Sequence, residues 1–192
     1  MKKPDKRDEI VRAALELITE HGFHGAPMAM IAERAGVGAG TIYRYFENKD
    51  VLIVELFSAM EGRILAAVME GFTPDGSVRG RFLHLGGAFV RYCIANPVDF
   101  RYLEQFRNSP YGAARRREKF SGKRNGRISV YFELFDEGIR QGVVKDLPLV
   151  VIFDLAFGPL IAMVRDHILG LLALDEDLVA RSVEACWDGI RR

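Results

Sequence analysis

The 192 residues carry 27 Lys and Arg against 26 Asp and Glu, a formal charge of +1, so no bulk charge by itself points to nucleic acid or to an acidic surface. A hydrophobic share of 49% with 28% charged residues is that of a soluble globular protein, either one large domain or a small one fused to a larger one. Cys93 and Cys186 offer no disulfide framework, and the opening MKKPDKRDEI lacks the apolar segment of a signal peptide, so a cytoplasmic protein is expected.

After a short basic tail, Ile10, Val11, Ala14, Leu17 and Ile18 predict an amphipathic helix from Asp8 to about His21. Gly22 stops it, and Phe23 is expected to fill the centre of a three-helix unit. Met28, Ile31, Ala32 and Ala35 follow at i, i+3, i+4 and i+7, one apolar face of a second helix. Gly36 can take the left-handed conformation that ends a helix, letting Val37 fold back onto the core. A third helix runs from about Ala39 to Phe46, with Ile42 and Phe46 as its buried side. Helix, glycine turn and helix in this compass is the helix-turn-helix pattern, whose second helix enters the DNA major groove.

The outward side of that helix carries the candidate contacts. Thr41 and Arg44 lie one turn apart and can reach base edges, and Gly40 lets the backbone approach closely. Tyr43 suits a phosphate oxygen, and Tyr45 is a further candidate whose position also allows it to be half-buried. Asn48 is placed to cap the next helix, where Lys49 and the free amides would hold an anion such as a DNA phosphate. Residues 1–50 contain eight Lys and Arg against eight Asp and Glu, so affinity must come from placed cations and helix starts.

IAERAGV at 31–37, GTIYRYF at 40–46 and NKDVL at 48–52, followed by a larger helical remainder, resemble the TetR family of bacterial transcription regulators. The sequence departs from that pattern at two helix starts. Ala26 and Pro27 stand where the family often has Thr or Ser, and Gly38 and Ala39 stand where its recognition helix is commonly polar. Direct base reading then rests mainly on Thr41 and Arg44.

A long helix from Asn48 to about Gly71 is expected to connect this unit to the rest. Thr73-Pro74-Asp75-Gly76 forms a turn, and Ser77 caps a helix carrying Phe82, Leu85, Phe89, Tyr92 and Cys93. Asn96-Pro97 breaks it, a short helix bears Phe100, Leu103 and Phe106, and Ser109-Pro110-Tyr111-Gly112 breaks the chain again. RRREKFSGKRNGR at 115–127 holds seven cations and one acid and is expected to be a solvated loop or helix start, with a phosphate or acidic-ligand contact as the alternative. A helix with Tyr131, Phe132, Leu134 and Phe135 precedes two apolar helices at about 148–171 and 175–191.

The expectation is an all-α fold of about nine helices without a sheet. It divides into a helix-turn-helix DNA-binding domain over 1–50 and a ligand-binding and dimerisation domain over 51–192. The apolar run 147–164 contains Asp154 and two prolines and reads as a buried helix, not a membrane span.

The resemblance implies a homodimer through the last two helices, a near-palindromic double-stranded operator and a small-molecule effector. Phe89, Tyr92, Phe106, Tyr131, Phe135 and Phe157 supply aromatic surface for an effector that is hydrophobic or aromatic, and Glu104 and Gln105 could face it. The function expected is that of a repressor released by this effector. A helix-turn-helix protein without an effector is one alternative, and an all-helical enzyme or carrier is another. No catalytic residue, metal site or cofactor is expected. His21, His24, His84 and His167 lack metal-ligand spacing, and phosphate-loop, dinucleotide and nucleophile-elbow patterns are missing.

Overall fold

A computed structural model describes residues 5–120 and 129–192, all helix and connection apart from one isolated bridge between Val144 and Arg191. Among these residues run α1 (Lys6–Gly25), α2 (Met28–Arg34), α3 (Ala39–Tyr45), α4 (Lys49–Met69) and α5 (Val78–Ala95). They are followed by α6 (Pro97–Arg107), α7 (Pro110–Phe120), α8 (Ser129–Arg140), α9 (Leu149–Ile168) and α10 (Glu176–Ile190). Residues 1–4 and 121–128 lie outside the described part, and with them Lys2, Lys3, Lys123, Arg124 and Arg127 of the basic segments.

The chain forms two compact units. One joins the residues up to Glu61 to Val98–Arg115, and the other joins Gly62–Pro97 to Arg116–Arg192. In the first, α1 packs on α2 and α2 on α3. Ile10, Ala14, Leu17, Ile18, Ile31, Ala32, Ile42, Phe46, Leu52 and Ile53 are buried at its core. Each large aliphatic or aromatic side chain buried there contributes about 1.5–3 kcal/mol relative to exposure.

Asp5 caps α1 by accepting from the Arg7 amide at 3.1 Å. Gly22 interrupts α1 with φ 73° and ψ 174°, after which the helix resumes to Gly25. The sequence stop at Gly22 is therefore a kink. Phe23, beyond it, is half-buried and packs on Tyr102 at 6.1 Å and Tyr111 at 5.6 Å, instead of filling the three-helix centre.

The tenth helix is α7. Ser109-Pro110-Tyr111-Gly112 is a helix start and not a break, because Ser109 Oγ accepts from the Gly112 amide at 3.2 Å and Pro110 needs no amide partner in a first turn. Arg115 and Arg116, expected in a solvated segment, are engaged instead. Arg115 reaches Glu61 at 3.2 Å in the first unit, and Arg116 forms two bonds of 2.8 Å to Asp154 in the second.

The second unit is built on α5, α9 and α10, each packed against the other two, with α8 against α5 and α9. Ser77 and Asp175 cap α5 and α10 as expected from the sequence. Phe157 lies at the middle of a ring cluster: Phe153 at 4.9 Å, Tyr131 at 5.1 Å, Phe89 at 6.0 Å, Phe82 at 6.1 Å and Phe135 at 6.4 Å. Cys93 and Cys186 are both buried, and burial pushes the Cys186 thiol up to about 11, away from the thiolate that oxidation requires.

Gly112 sits against the end of α6, where an added Cβ would meet the Phe106 carbonyl oxygen at 2.0 Å and Arg107 Cα at 2.8 Å. Backbone cannot yield as a flexible side chain does. Gly112→Ala is expected to destabilise the protein by about 1–3 kcal/mol, read as a lowered urea midpoint at unchanged slope.

Candidate nucleic-acid interface

The site begins with the turn at Gly36. Its φ of 66° lets the Gly36 amide donate to the Glu33 carbonyl at 3.0 Å and the Val37 amide to the Ala32 carbonyl at 2.9 Å. These are the paired bonds of a Schellman motif, which closes α2 and reverses the chain into α3. Gly38 is the N-cap of α3, with the Thr41 amide donating to its carbonyl at 2.8 Å.

Within α3 only Ile42 is buried, and the following Phe46 is buried completely. Thr41 is half-buried, whereas Ala39, Gly40, Tyr43, Arg44 and Tyr45 are exposed. Tyr43 is 55% and Tyr45 40% accessible, so the half-buried alternative for Tyr45 does not hold. Arg7 packs its guanidinium over the Phe46 ring at 5.4 Å and pairs with Glu55, tying the beginning of α1 to the end of α3 and to α4.

Asn48 caps α4 by accepting from the Val51 amide at 2.9 Å. Lys49 turns back, and its ammonium donates to the Phe23 carbonyl. Burial lowers its pKa from the ordinary lysine range, and the Asp50 carboxylate opposes that shift. Asp50 also accepts from the Tyr111 hydroxyl at 2.5 Å.

Tyr111 belongs to a set of contacts that sequence reading passed over. Tyr102 is fully buried and its hydroxyl donates to the Ile53 carbonyl at 2.8 Å. Gln105 donates to the Thr19 carbonyl at 3.1 Å, so it faces α1 and not an aromatic pocket. Phe106 stacks on Phe57 at 3.8 Å. A signal for Tyr102 was present, since Asp99, Tyr102, Leu103 and Phe106 stand at i, i+3, i+4 and i+7, and all are buried. Tyr111 had no such signal.

Of the six aromatic candidates for an effector, Phe89, Tyr131, Phe135 and Phe157 come together around Phe157. Tyr92 is half-buried on α5, and Phe106 belongs to the first unit. Phe82 and Phe153 complete the cluster. Burial holds the Tyr131 phenol above its ordinary pKa, so it stays a neutral donor.

A three-helix unit with a glycine-turned, outward-facing short helix defines a helix-turn-helix DNA-binding regulator. Two family models match the chain: bacterial regulatory proteins of the tetR family over residues 10–56, and a tetracyclin repressor-like C-terminal domain over 78–191. The chain belongs to the TetR family of transcription regulators.

A TetR-family protein from Vibrio parahaemolyticus superposes with a TM-score of 0.78 at 33% identity, over 98% of this chain and 100% of that one. The fatty acid metabolism regulator protein of Bacillus subtilis is 27% identical over 145 residues, 75% of this chain and 73% of its own. A regulator from Bacillus subtilis, FadR, solved in complex with stearoyl-CoA, shares the fold with a TM-score of 0.74 at 22% identity, over 95% of this chain and 98% of that one. No described helix is long and apolar enough to cross a membrane.

The buried Tyr102 phenol carries a pH signature. Burial raises its pKa in the folded state, so above pH about 10, where unfolded phenols ionise, the folded protein holds more protons and stability falls. Lys49 shifts in the opposite sense, and a paired comparison cancels it. The stability difference between wild type and Tyr102→Phe should be level up to pH about 10 and shrink above it, followed by urea unfolding at stepped pH.

Proposed function

We propose that this regulator is a cytoplasmic homodimeric repressor whose operator binding is released by a long-chain hydrophobic effector. The observation that carries the DNA contacts is the exposed side of α3. A Cβ added at Gly40 would meet nothing within 4 Å, so no neighbour in the chain requires glycine there. Glycine inside a helix costs about 0.5–1 kcal/mol relative to alanine. A backbone approached closely by DNA accounts for it.

Thr41 and Arg44 then read base edges, Tyr43 and Tyr45 meet phosphates, and Lys49 exchanges the Phe23 carbonyl for a phosphate. These belong to a DNA-binding domain over 1–50, with ligand binding and dimerisation assigned to 51–192. The apolar side chains Val151 and Leu155 are exposed on α9, and the small residues Ala180, Ala185 and Gly189 are exposed on α10, which supports a two-fold pairing through these helices. Such a pair presents two α3 helices to adjacent major grooves about 34–36 Å apart.

The effector reading rests on the Phe157 cluster, a large buried aromatic surface with a neutral phenol at Tyr131 as the polar partner. The stearoyl-CoA bound by the structurally similar regulator names the first compound class to test. The protein acts by binding alone.

Selection of bound duplexes from random DNA should enrich two inverted half-sites, and stearoyl-CoA should weaken binding to them by about 5–150-fold. Enrichment without any acyl-CoA effect would sink the effector assignment and leave a regulator that works without one. Arg44→Ala should cost about 1–3 kcal/mol and relax specificity, whereas Lys49→Ala should weaken all sequences alike and reduce the salt slope by about one. Gly40→Ala should raise the urea midpoint slightly while lowering operator affinity; a rise in both would remove the close-approach argument.

A further inference from the structure

The start of α4 sets an acid beside the cation assigned to DNA. Lys49 and Asp50 are its first two residues, and Asp50 is exposed. The macrodipole favours a carboxylate at a helix N-terminus, but Asn48 already caps this one, accepting from the Val51 amide at 2.9 Å. A phosphate that reaches Lys49 also comes close to Asp50. Like charges at short range repel, and salt screens them only over about 8 Å. An acid here therefore lowers affinity for any duplex, whatever its sequence.

The first unit supplies a partner for that acid. Tyr111 donates to Asp50 Oδ1 at 2.5 Å. The bond holds the Tyr111 phenol above its ordinary pKa, so the hydroxyl remains a donor. The ring is fixed in turn, against Phe23 at 5.6 Å and Phe106 at 6.4 Å. Phe23 follows the kink at Gly22, and its carbonyl accepts the Lys49 ammonium. Two neighbouring residues of opposite charge are thus held by different groups, the lysine by a carbonyl and the acid by a phenol. All of these residues belong to the first unit. A phenylalanine at 111 would keep both ring contacts; what the hydroxyl adds is the bond to Asp50.

We infer that Asp50 is a built-in limit on DNA affinity and that Tyr111 sets its strength, by drawing the carboxylate into a hydrogen bond so that a phosphate meets the Lys49 ammonium first. Tyr111 is then a positioning residue that acts through Asp50 and makes no DNA contact. This rests on the reading that Lys49 meets a phosphate.

The test is a double-mutant cycle on the affinity of the full-length protein for two duplexes at stepped salt. One carries the half-sites recovered by selection, and the other is a random sequence of equal length. Asp50→Asn removes the charge and keeps an acceptor; Tyr111→Phe keeps the ring and removes the donor. Tyr111→Phe should weaken binding to both duplexes by about threefold, and Asp50→Asn should tighten it by about threefold, each change fading as salt is raised. In the Asp50→Asn background, Tyr111→Phe should have no further effect. Asp50→Ser should repeat the gain, which guards against a local defect of the asparagine variant.

An equal loss from Tyr111→Phe in both backgrounds would mark a purely structural hydroxyl and overturn the proposal. So would Asp50→Asn and Asp50→Ser variants that bind no tighter than wild type. Lys49→Ala, measured alongside, separates the two readings. If it leaves affinity unchanged, the phosphate contact of Lys49 fails and the role of Asp50 fails with it. If it weakens both duplexes while removal of the Asp50 charge gains nothing, only the role of Asp50 fails.

Discussion

A helix of seven residues does not hold its shape in water, because too few hydrogen bonds offset the cost of nucleation. α3 is such a helix, and its geometry is borrowed from the core of the first unit. Ile42 and Phe46 are fully buried, the Schellman turn at Gly36 sets the angle of entry, and Arg7 covers the Phe46 ring from α1. Two apolar anchors one turn apart fix the rotation of the helix about its axis. Tyr43, Arg44 and Tyr45 are left exposed as a consequence of that rotation.

The near-neutral charge of the chain has a structural counterpart. Arg34 lies within 4 Å of Glu16 and Glu20, Arg7 pairs with Glu55, and Lys49 turns to a carbonyl. Exposed ion pairs of this kind add about 0–1 kcal/mol each to stability, so their consequence is mainly orientation. Among the described residues no ion pair holds Arg44. Arg44 is the single cation of α3, and its side chain stands exposed.

The first unit is larger than a helix-turn-helix. Val98–Arg115 belongs to it, and the contacts concerned are specific: the Tyr102 phenol on the Ile53 carbonyl, Phe106 stacked on Phe57, Gln105 on the Thr19 carbonyl and Tyr111 on Asp50. A segment about fifty residues further along the chain therefore buttresses the helices that would face DNA. The second unit is held by a different chemistry, rings at 4.9–6.4 Å around Phe157 in tilted and edge-on arrangements, the latter setting aromatic edges against faces.

Local signals determined a good part of this in advance. The helix-turn-helix was legible because its rules act over a few residues: apolar spacing in α2, a glycine free to take positive φ, Ile42 and Phe46 one turn apart, and capping by Asn48, Ser77 and Asp175. The all-helical class followed from the same periodicity. Ser109-Pro110 opens a helix where the sequence suggests a break, because serine and proline suit both, and only the bond from the Gly112 amide to Ser109 distinguishes the two cases. Tertiary structure alone decided which aromatics meet. Phe106 and Phe157 look alike in sequence, yet one stacks on Phe57 and the other gathers five rings, because periodicity assigns a face to each helix and says nothing of its neighbour. Packing likewise brought Tyr111 to Asp50, a contact sixty-one positions apart that no spacing rule encodes.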